Sequence, residues 1–161
     1  RRGGTQRSEP NRLHAARVTR RLIDSLGNEH PGMPLFIMGD FNDNPTNKSI
    51  KQVLQSRGVI DSLGTYQLFN PMDKLFAKGY GTIGYRDRWS LFDQILLNSY
   101  ASITSREGYR FWKAGIYMPP YLVQATGRYK GYPKSTYIAG RYKGGYSDHF
   151  PVYLHLVRKA D

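Results

Sequence analysis

A short apolar run that ends in a polar cluster, Leu-Phe-Ile-Met-Gly-Asp-Phe-Asn-Asp at positions 35–43, constrains the fold most. Pro34 and Gly39 bound the run, and its four apolar residues indicate a buried central strand rather than an amphipathic helix. Asp40 and Asn42 follow where this strand leaves the sheet, two positions apart and therefore on one face. Such strand ends commonly carry ligand sites in α/β proteins. The alternative is an ordinary turn, because Asn, Asp and Pro are frequent in turns.

Composition limits the class of protein. A length of 161 residues indicates one domain, and the absence of Cys excludes disulfides and thiolate metal sites. No apolar run approaches the roughly 18 residues that a membrane span requires, and no signal peptide is visible, so localisation is undetermined. The net charge of +12 favours a polyanionic partner or substrate, although a generally basic surface would give the same value.

Periodicity predicts two helices around the first strand. Residues 1–11 resemble a loop, with a helix that starts near Ser8–Pro10 and ends at Gly27. A second helix is predicted from a cap at Asn44 or Thr46 to Arg57-Gly58. Later strands are predicted at residues 82–86, 91–97 and 152–157.

Asp93 lies inside the apolar strand of residues 91–97. A buried carboxylate is unfavourable unless it is paired or hydrogen-bonded, so a His or Arg partner is expected. The alternative is an Asp at a strand edge that faces water.

Residues 105–147 form a basic, Tyr-rich insertion or loop region with eight Lys or Arg and one acid, Glu107. The sequence Gly-Arg-Tyr-Lys-Gly occurs at 127–131 and again at 140–144, which suggests two matched turns. Basic side chains beside rings suit unpaired nucleic acid, and tyrosines that pack on one another are the equally weighted alternative. The candidate substrate-binding cations are Arg128, Lys130, Arg141 and Lys143.

Asp148 and His149 stand at the start of the last strand, in the sequence Ser-Asp-His-Phe-Pro-Val at 147–152. Together with Gly39-Asp40-Phe41-Asn42 and the strand that bears Asp93, this motif resembles the later motifs of the endonuclease/exonuclease/phosphatase superfamily. The superfamily includes pancreatic-type deoxyribonucleases, abasic-site endonucleases, inositol polyphosphate phosphatases and neutral sphingomyelinases.

The resemblance implies a role for each of five residues in a Mg²⁺-dependent phosphoesterase, with Mn²⁺ as the alternative metal. Asp40 would orient and deprotonate the attacking water, and Asn42 would hydrogen-bond Asp40 or a phosphate oxygen. His149 would contact the scissile phosphate, while Asp93 would fix its tautomer. Asp148, with Asp40, would approach the metal. The alternative function is a catalytically inactive, basic nucleic-acid-binding module on the same fold.

The resemblance covers about residues 1–157, but only the C-terminal half of the family's four-layer α/β/β/α sandwich. The earlier half supplies an Asn and a Glu metal ligand without counterpart here, so we expect residues 1–161 to be a single partial domain that is inactive alone. Its expected partners are a phosphoester substrate, nucleic acid slightly favoured, and the missing N-terminal half. An uncovered sheet face and edge would also favour self-association.

Overall fold

One long helix, two β-sheets and two β-hairpins make up a mixed α/β structure. The computed structural model describes residues 4–61, 63–64, 66–102, 108–158 and 160. The helices are α1 (Gly4–Glu29), α2 (Met72–Ala77) and α3 (Ser99–Ser102), with a π-helical turn at Ser49–Val53 and a 3₁₀ turn at Pro120–Leu122. The strands are β1 (Phe36–Asp40), β2 (Ser56–Arg57), β3 (Leu68–Phe69), β4 (Ile83–Tyr85), β5 (Arg88–Ser90), β6 (Asp93–Leu97), β7 (Arg110–Ile116), β8 (Tyr137–Ile138), β9 (Arg141–Tyr142) and β10 (Val152–Val157).

The two sheets pack face to face. Within the described residues the first sheet has the order β1-β6-β3-β2, in which β6 runs antiparallel to both β1 and β3. The second sheet pairs β10 with β7 antiparallel, with an irregularity between His155 and Leu156. Helix α1 and the π-helical turn cover the opposite face of the first sheet.

Strand β6 is the centre of the core because it is buried on both faces. Leu96 packs with Ala16 and Ile23 of α1, whereas Ile95 and Leu97 point towards the second sheet. Alternation along the strand therefore directs Asp93 to the side of the second sheet. This is the side on which β10 begins.

Strand β1 occurs where the sequence predicts it, but it is not a buried central strand in the described residues. It pairs with β6 on one side, and Phe36 and Met38 are 37% and 65% exposed. These two residues lie opposite Leu97 and Ile95 and share their face of the sheet. The second sheet covers that face over β6 but leaves it open over β1.

Helix α1 is longer at both ends than the sequence predicts. It begins at Gly4, includes Pro10 and ends at Glu29, so the predicted loop at 1–11 and the end at Gly27 are wrong. The hydroxyl of Ser8 donates to the carbonyl oxygen of Gly4, and Pro10 is tolerated near the start at the loss of one main-chain hydrogen bond. Residues 1–3 lie outside the described residues. No helix in the described ranges is both long and apolar enough to cross a membrane.

The predicted second helix is wrong in extent. Only the turn Ser49–Val53 is helical, and residues 56–57 form β2, which pairs parallel with β3. The side chain of Asp43 accepts hydrogen bonds from the side chains of Asn47 and Ser49, so a side chain organises this turn.

The Tyr-rich region contains regular structure as well as loops. Residues 110–116 form β7, and residues 103–107, with Glu107, lie outside the described residues. The two Gly-Arg-Tyr-Lys-Gly copies are not matched turns, because 127–131 forms a tight loop tip while 141–142 forms β9. Only the flanking glycines correspond, since all four have positive φ.

Candidate active site

The end of β1 and the start of β6 lie at one edge of the first sheet. The antiparallel register places Asp40 directly opposite Asp93, 53 positions later in the chain. The main-chain N–H of Phe41 extends this pairing by donating to the carbonyl oxygen of Phe92 at 2.9 Å. Two carboxylates that are distant in sequence are therefore neighbours.

His149 completes this group from the other sheet. Its Nδ1 lies 2.6 Å from Oδ2 of Asp93, and each side chain is 20% exposed. The main-chain N–H of His149 donates to the hydroxyl of Ser147 at 3.0 Å, which orders the turn before β10. The predicted contact between Asp93 and His149 is confirmed.

The pKa of His149 is raised above its ordinary value of 6.5. The hydrogen bond to Asp93 is the largest cause, and partial burial opposes it. The negative charges of Asp93, Asp40 and Asp148 raise the pKa further. The imidazolium form is thus stabilised by carboxylates from both sheets, with Nδ1–H as the donor to Asp93.

Two hydrogen bonds join Asn42 to the carboxylate of Asp40. The main-chain N–H and the side-chain amide of Asn42 donate to the two carboxylate oxygens of Asp40, at 2.8 and 3.1 Å. Asn42 has φ of 52°, a conformation that Asn adopts more readily than most residues, and Gly39 has φ of 152°. The Gly-Asp-Phe-Asn sequence therefore permits the positive φ angles at Gly39 and Asn42 and also supplies the hydrogen-bonded pair of side chains.

The predicted site residues separate into two groups. Asp40, Asn42, Asp93, Asp148 and His149 come together, because each bonds another member or acts on the charge of His149. The four predicted substrate-binding cations lie in the loop of residues 124–132 or in and beside β9, and within the described ranges none has a hydrogen bond or ion pair to His149. They are Arg128, Lys130, Arg141 and Lys143.

Thr82 connects the two motifs, and sequence reasoning missed it. Its hydroxyl oxygen accepts from the main-chain N–H groups of Phe92 and Asp93, at 3.3 and 3.4 Å. Its carbonyl oxygen accepts from the N–H of Phe150 at 2.9 Å. This fully buried Thr therefore ties the start of β6 to the residue after His149. A Thr at the start of a predicted strand gives no signal for such a role.

Asp43 anchors the loop beneath the site, and sequence reasoning treated it only as a turn residue. Its Oδ2 lies 2.6 Å from the hydroxyl of Ser49 and 2.7 Å from Nε of Arg12 on α1. The buried amide of Gln94 donates to the carbonyl oxygen of Asp43 at 2.6 Å and accepts from Asn70 at 2.7 Å. The loop that carries Asn42 is thus fixed to α1 and β6.

Replacement of Asp43 by Ala is expected to lower the free energy of unfolding by about 3–5 kcal/mol, the usual loss when one partner of a buried ion pair is removed. Asp43 is 2% exposed. Urea unfolding of the Asp43→Ala variant measures the loss. The matched control is Asp24→Ala, because the side chain of Asp24 is 44% exposed in its ion pair with Arg20. This variant should lower the free energy of unfolding by less than about 1 kcal/mol. Equal losses in the two variants would contradict the anchoring role.

The oxygen ligands near His149 do not by themselves form a metal site. Among the described residues there is no group of three His, Asp or Glu side chains that could hold a metal ion. Both carboxylate oxygens of Asp40 already accept hydrogen bonds from Asn42. Mg²⁺ prefers a nearly octahedral oxygen shell made by one or two carboxylates with water and substrate oxygens, and in this structure the carboxylate of Asp40 is bonded to Asn42 instead.

Comparison with protein families gives a match over nearly the whole chain. A model of the endonuclease/exonuclease/phosphatase family matches residues 1–158. The chain belongs to the endonuclease/exonuclease/phosphatase family. Searches of curated proteins and of solved structures gave no match. Membership of the endonuclease/exonuclease/phosphatase family agrees with the mixed α/β fold and makes phosphoester hydrolysis the activity to consider.

Proposed function

We propose that this chain carries the water-activating and phosphate-binding residues of a metal-dependent phosphoesterase, which cleaves a phosphodiester or phosphomonoester. The observation that supports this most is the 2.6 Å contact between His149 and Asp93, beside the carboxylate of Asp40. A raised pKa and a carboxylate orienter prepare a histidine to meet a negatively charged group. A binding module alone has no need of this arrangement.

Asp40 is the proposed base. Hydrolysis needs an attacking water that is held in position and loses a proton as it attacks. The side chain of Asp40 is exposed at the end of β1, where water has access. Asn42 holds the Asp40 carboxylate through two hydrogen bonds, and in the proposed mechanism its amide also reaches a phosphate oxygen.

His149 is the proposed contact to the scissile phosphate. With Nδ1 directed at Asp93, the other ring nitrogen, Nε2, is left to donate to a phosphoryl oxygen. A positively charged donor at that point stabilises the charge that develops in the transition state. Asp93 is a positioning residue, since it acts through His149.

A divalent cation is part of the proposal, with Mg²⁺ preferred and Mn²⁺ as the alternative. When bound, the cation would neutralise charge on the phosphoryl group. Asp148 and Asp40 are the carboxylates of this chain that we propose for it. Because the described residues contain no group of three histidine or acidic side chains that could hold a metal, we propose that further ligands come from outside them.

The basic residues of the hairpins give nucleic acid a modest preference over other phosphoesters. Arg128, Lys130, Arg141 and Lys143 are exposed, and no acid occurs between residues 120 and 146. An inactive nucleic-acid-binding module is the second candidate, favoured by the lack of a three-ligand group in the part of the chain that the structure describes. Oligonucleotide binding without turnover in any metal, in a protein with all ligands present, would identify that candidate.

We also propose that the described layers belong to a four-layer α/β/β/α sandwich, with residues 1–161 as one partial domain. The open face over β1 and the free edge of β10 in the described residues support this. In the proposed domain the family's N-terminal half covers both. In the isolated chain, another copy of the same chain would cover the open face and the free edge instead.

The isolated chain is therefore expected to self-associate through this face. Met38→Lys places a charge on it and should shift the chain towards monomer in sedimentation velocity over a concentration series. Val18→Lys is the matched control, because Val18 is 52% exposed on α1, at the other face of the first sheet. If the two variants change association equally, the open face over β1 is not the contact.

The pH dependence of hydrolysis tests the roles of His149 and Asp93. If the imidazolium is the active form, the rate should fall on the alkaline side as pH rises through the raised pKa of His149. Asp93→Asn removes the largest cause of that increase. This variant should move the alkaline limb to lower pH and lower the rate near neutrality by roughly tenfold or more.

Glu29→Gln is the control for the charge change, because Glu29 is exposed at the end of α1. It should leave the profile unchanged. An alkaline limb that stays in place in Asp93→Asn would show that His149 does not act as the imidazolium.

A further inference from the structure

A second cavity, separate from the group around His149, lies between the β4–β5 hairpin and the loops of residues 122–138. Its volume is about 400 Å³. Four tyrosines and two arginines contribute to its walls, and we call it the aromatic–basic pocket. These residues are Tyr85, Arg86, Arg128, Tyr129, Tyr132 and Tyr137.

Tyr132 fixes the shape of this pocket. Its hydroxyl accepts from the main-chain N–H of Asp87 at 2.8 Å and donates to the carboxylate of Asp87 at 3.0 Å. Its ring lies so close to Gly84 that an added Cβ there would be 2.8 Å from a ring carbon. The hairpin and the loops are therefore held together by specific contacts.

The arginines of the pocket are available to an anion. The guanidinium carbon of Arg86 lies 5.3 Å from the ring centroid of Tyr85, and that of Arg128 lies 5.9 Å from Tyr129. Among the described residues neither arginine forms an ion pair. Five basic residues and no acid occur between positions 120 and 146, and Asp87, which also lines the pocket, has its carboxylate engaged by the hydroxyl of Tyr132.

The rings of the pocket are available as well. Tyr85 and Tyr137 are 69% and 62% exposed, so much of each ring is open although Arg86 lies over Tyr85 and the ring of Tyr142 meets that of Tyr137 at a steep angle. Flat aromatic faces beside cations fit a flat base that is flanked by phosphates. Base faces are accessible in single strands, whereas in a duplex they are covered by stacking.

We infer that the aromatic–basic pocket binds an unpaired nucleotide of a single-stranded nucleic acid. Its position links it to the active site: Trp89 packs on Tyr132 at 5.4 Å and stacks on Phe150 at 6.2 Å between ring centroids. Phe150 directly follows His149. A strand held in the pocket would therefore pass close to the proposed catalytic residues, and only the claim that this strand is also the substrate rests on the proposed function.

The test is fluorescence anisotropy of the full 161-residue chain with a short labelled oligo-dT in excess chelator, where hydrolysis plays no part. We expect the single strand to bind roughly tenfold more tightly than the same backbone with abasic sites, because base stacking adds to phosphate pairing. Tyr85→Ala and Tyr137→Ala should each weaken binding by about fivefold or more. Arg128→Gln should weaken binding and reduce its salt dependence.

Two variants are matched controls. Tyr66→Ala removes a tyrosine that is 64% exposed elsewhere, and Arg17→Gln removes an exposed arginine of α1 that does not line the pocket. Both should bind oligo-dT within about twofold of the unmodified chain.

Several results would overturn the inference. They are equal binding of the abasic and normal strands, tighter binding of a duplex of the same length, or losses in the control variants as large as those in the pocket variants. Binding to vesicles that contain anionic lipid, without binding to oligo-dT, would assign the pocket to a membrane surface instead. The comparison of normal and abasic strands uses the unmodified chain, so it stands even if a variant fails to fold.

Discussion

His149→Ala is expected to lower the rate of phosphoester hydrolysis by roughly 10²-fold or more, the scale of losing an acid–base or transition-state contact. The imidazole is held by Asp93 at 2.6 Å, with a pKa raised by three carboxylates. The variant removes both the proposed donor to the phosphate and the positive charge at that point. Steady-state kinetics should show the loss mainly in kcat, because the contact strengthens in the transition state.

His155→Ala is the matched control for this prediction. His155 is exposed on β10, where it packs beside Trp112 and Tyr153. The control variant should keep its activity within about twofold, since it removes an imidazole that has no carboxylate partner among the described residues. If His149→Ala is as active as His155→Ala, the proposed mechanism fails.

Withdrawal of divalent cations is expected to have an effect of similar size or larger. In an active preparation, excess chelator should lower hydrolysis by orders of magnitude, since the charge stabilisation that a metal supplies is worth several kcal/mol. The 161-residue chain alone should be nearly silent even with added Mg²⁺ or Mn²⁺, because its described carboxylates do not form a three-ligand group.

Generic phosphodiesters and phosphomonoesters serve as substrates for this assay. If this segment belongs to a larger domain, as we propose, the reference is the longer protein that contains that domain. Turnover by the 161-residue chain comparable to that of the longer protein would show that the missing ligands are not needed. Full activity in chelator would rule out the metal altogether.

The site could be predicted from sequence because its residues sit at strand ends with a clear apolar context. Asp93 interrupts an apolar strand, and such a carboxylate needs a partner. The Asp-His pair before the last strand provides that partner, and the two meet as predicted. The resemblance to the family rests on these motifs and their order along the chain, and the family match over residues 1–158 agrees with it.

Side-chain contacts over long sequence distances account for what sequence analysis missed. The π-helical turn at Ser49–Val53 depends on Asp43, which also meets Arg12 of α1. Thr82 links two segments through one buried side chain and one carbonyl group. Helical periodicity reports only neighbours within a few residues, so it cannot indicate either contact.

The observed length of α1 and the observed exposure of β1 also depart from the sequence-based predictions, but for another reason. Pro10 resembles a helix start, but it is the seventh residue of α1, and the helix runs through it at the loss of one main-chain hydrogen bond. The apolar run at 35–38 indicates burial on both faces, yet Met38 is 65% exposed. A sequence pattern shows which residues are apolar but not which of them the rest of the fold covers.

The register of β1 and β6 has a consequence for evolution and engineering. Two carboxylates, Asp40 and Asp93, face each other directly across an antiparallel pair, and like charges in this position destabilise a sheet. The charge of His149 offsets part of that repulsion, and a role of this pair in the proposed reaction would explain why the remaining cost is tolerated. Selection for heat resistance alone would be expected to replace one of these two aspartates by a neutral residue, and the gain in robustness would come at the expense of the reaction.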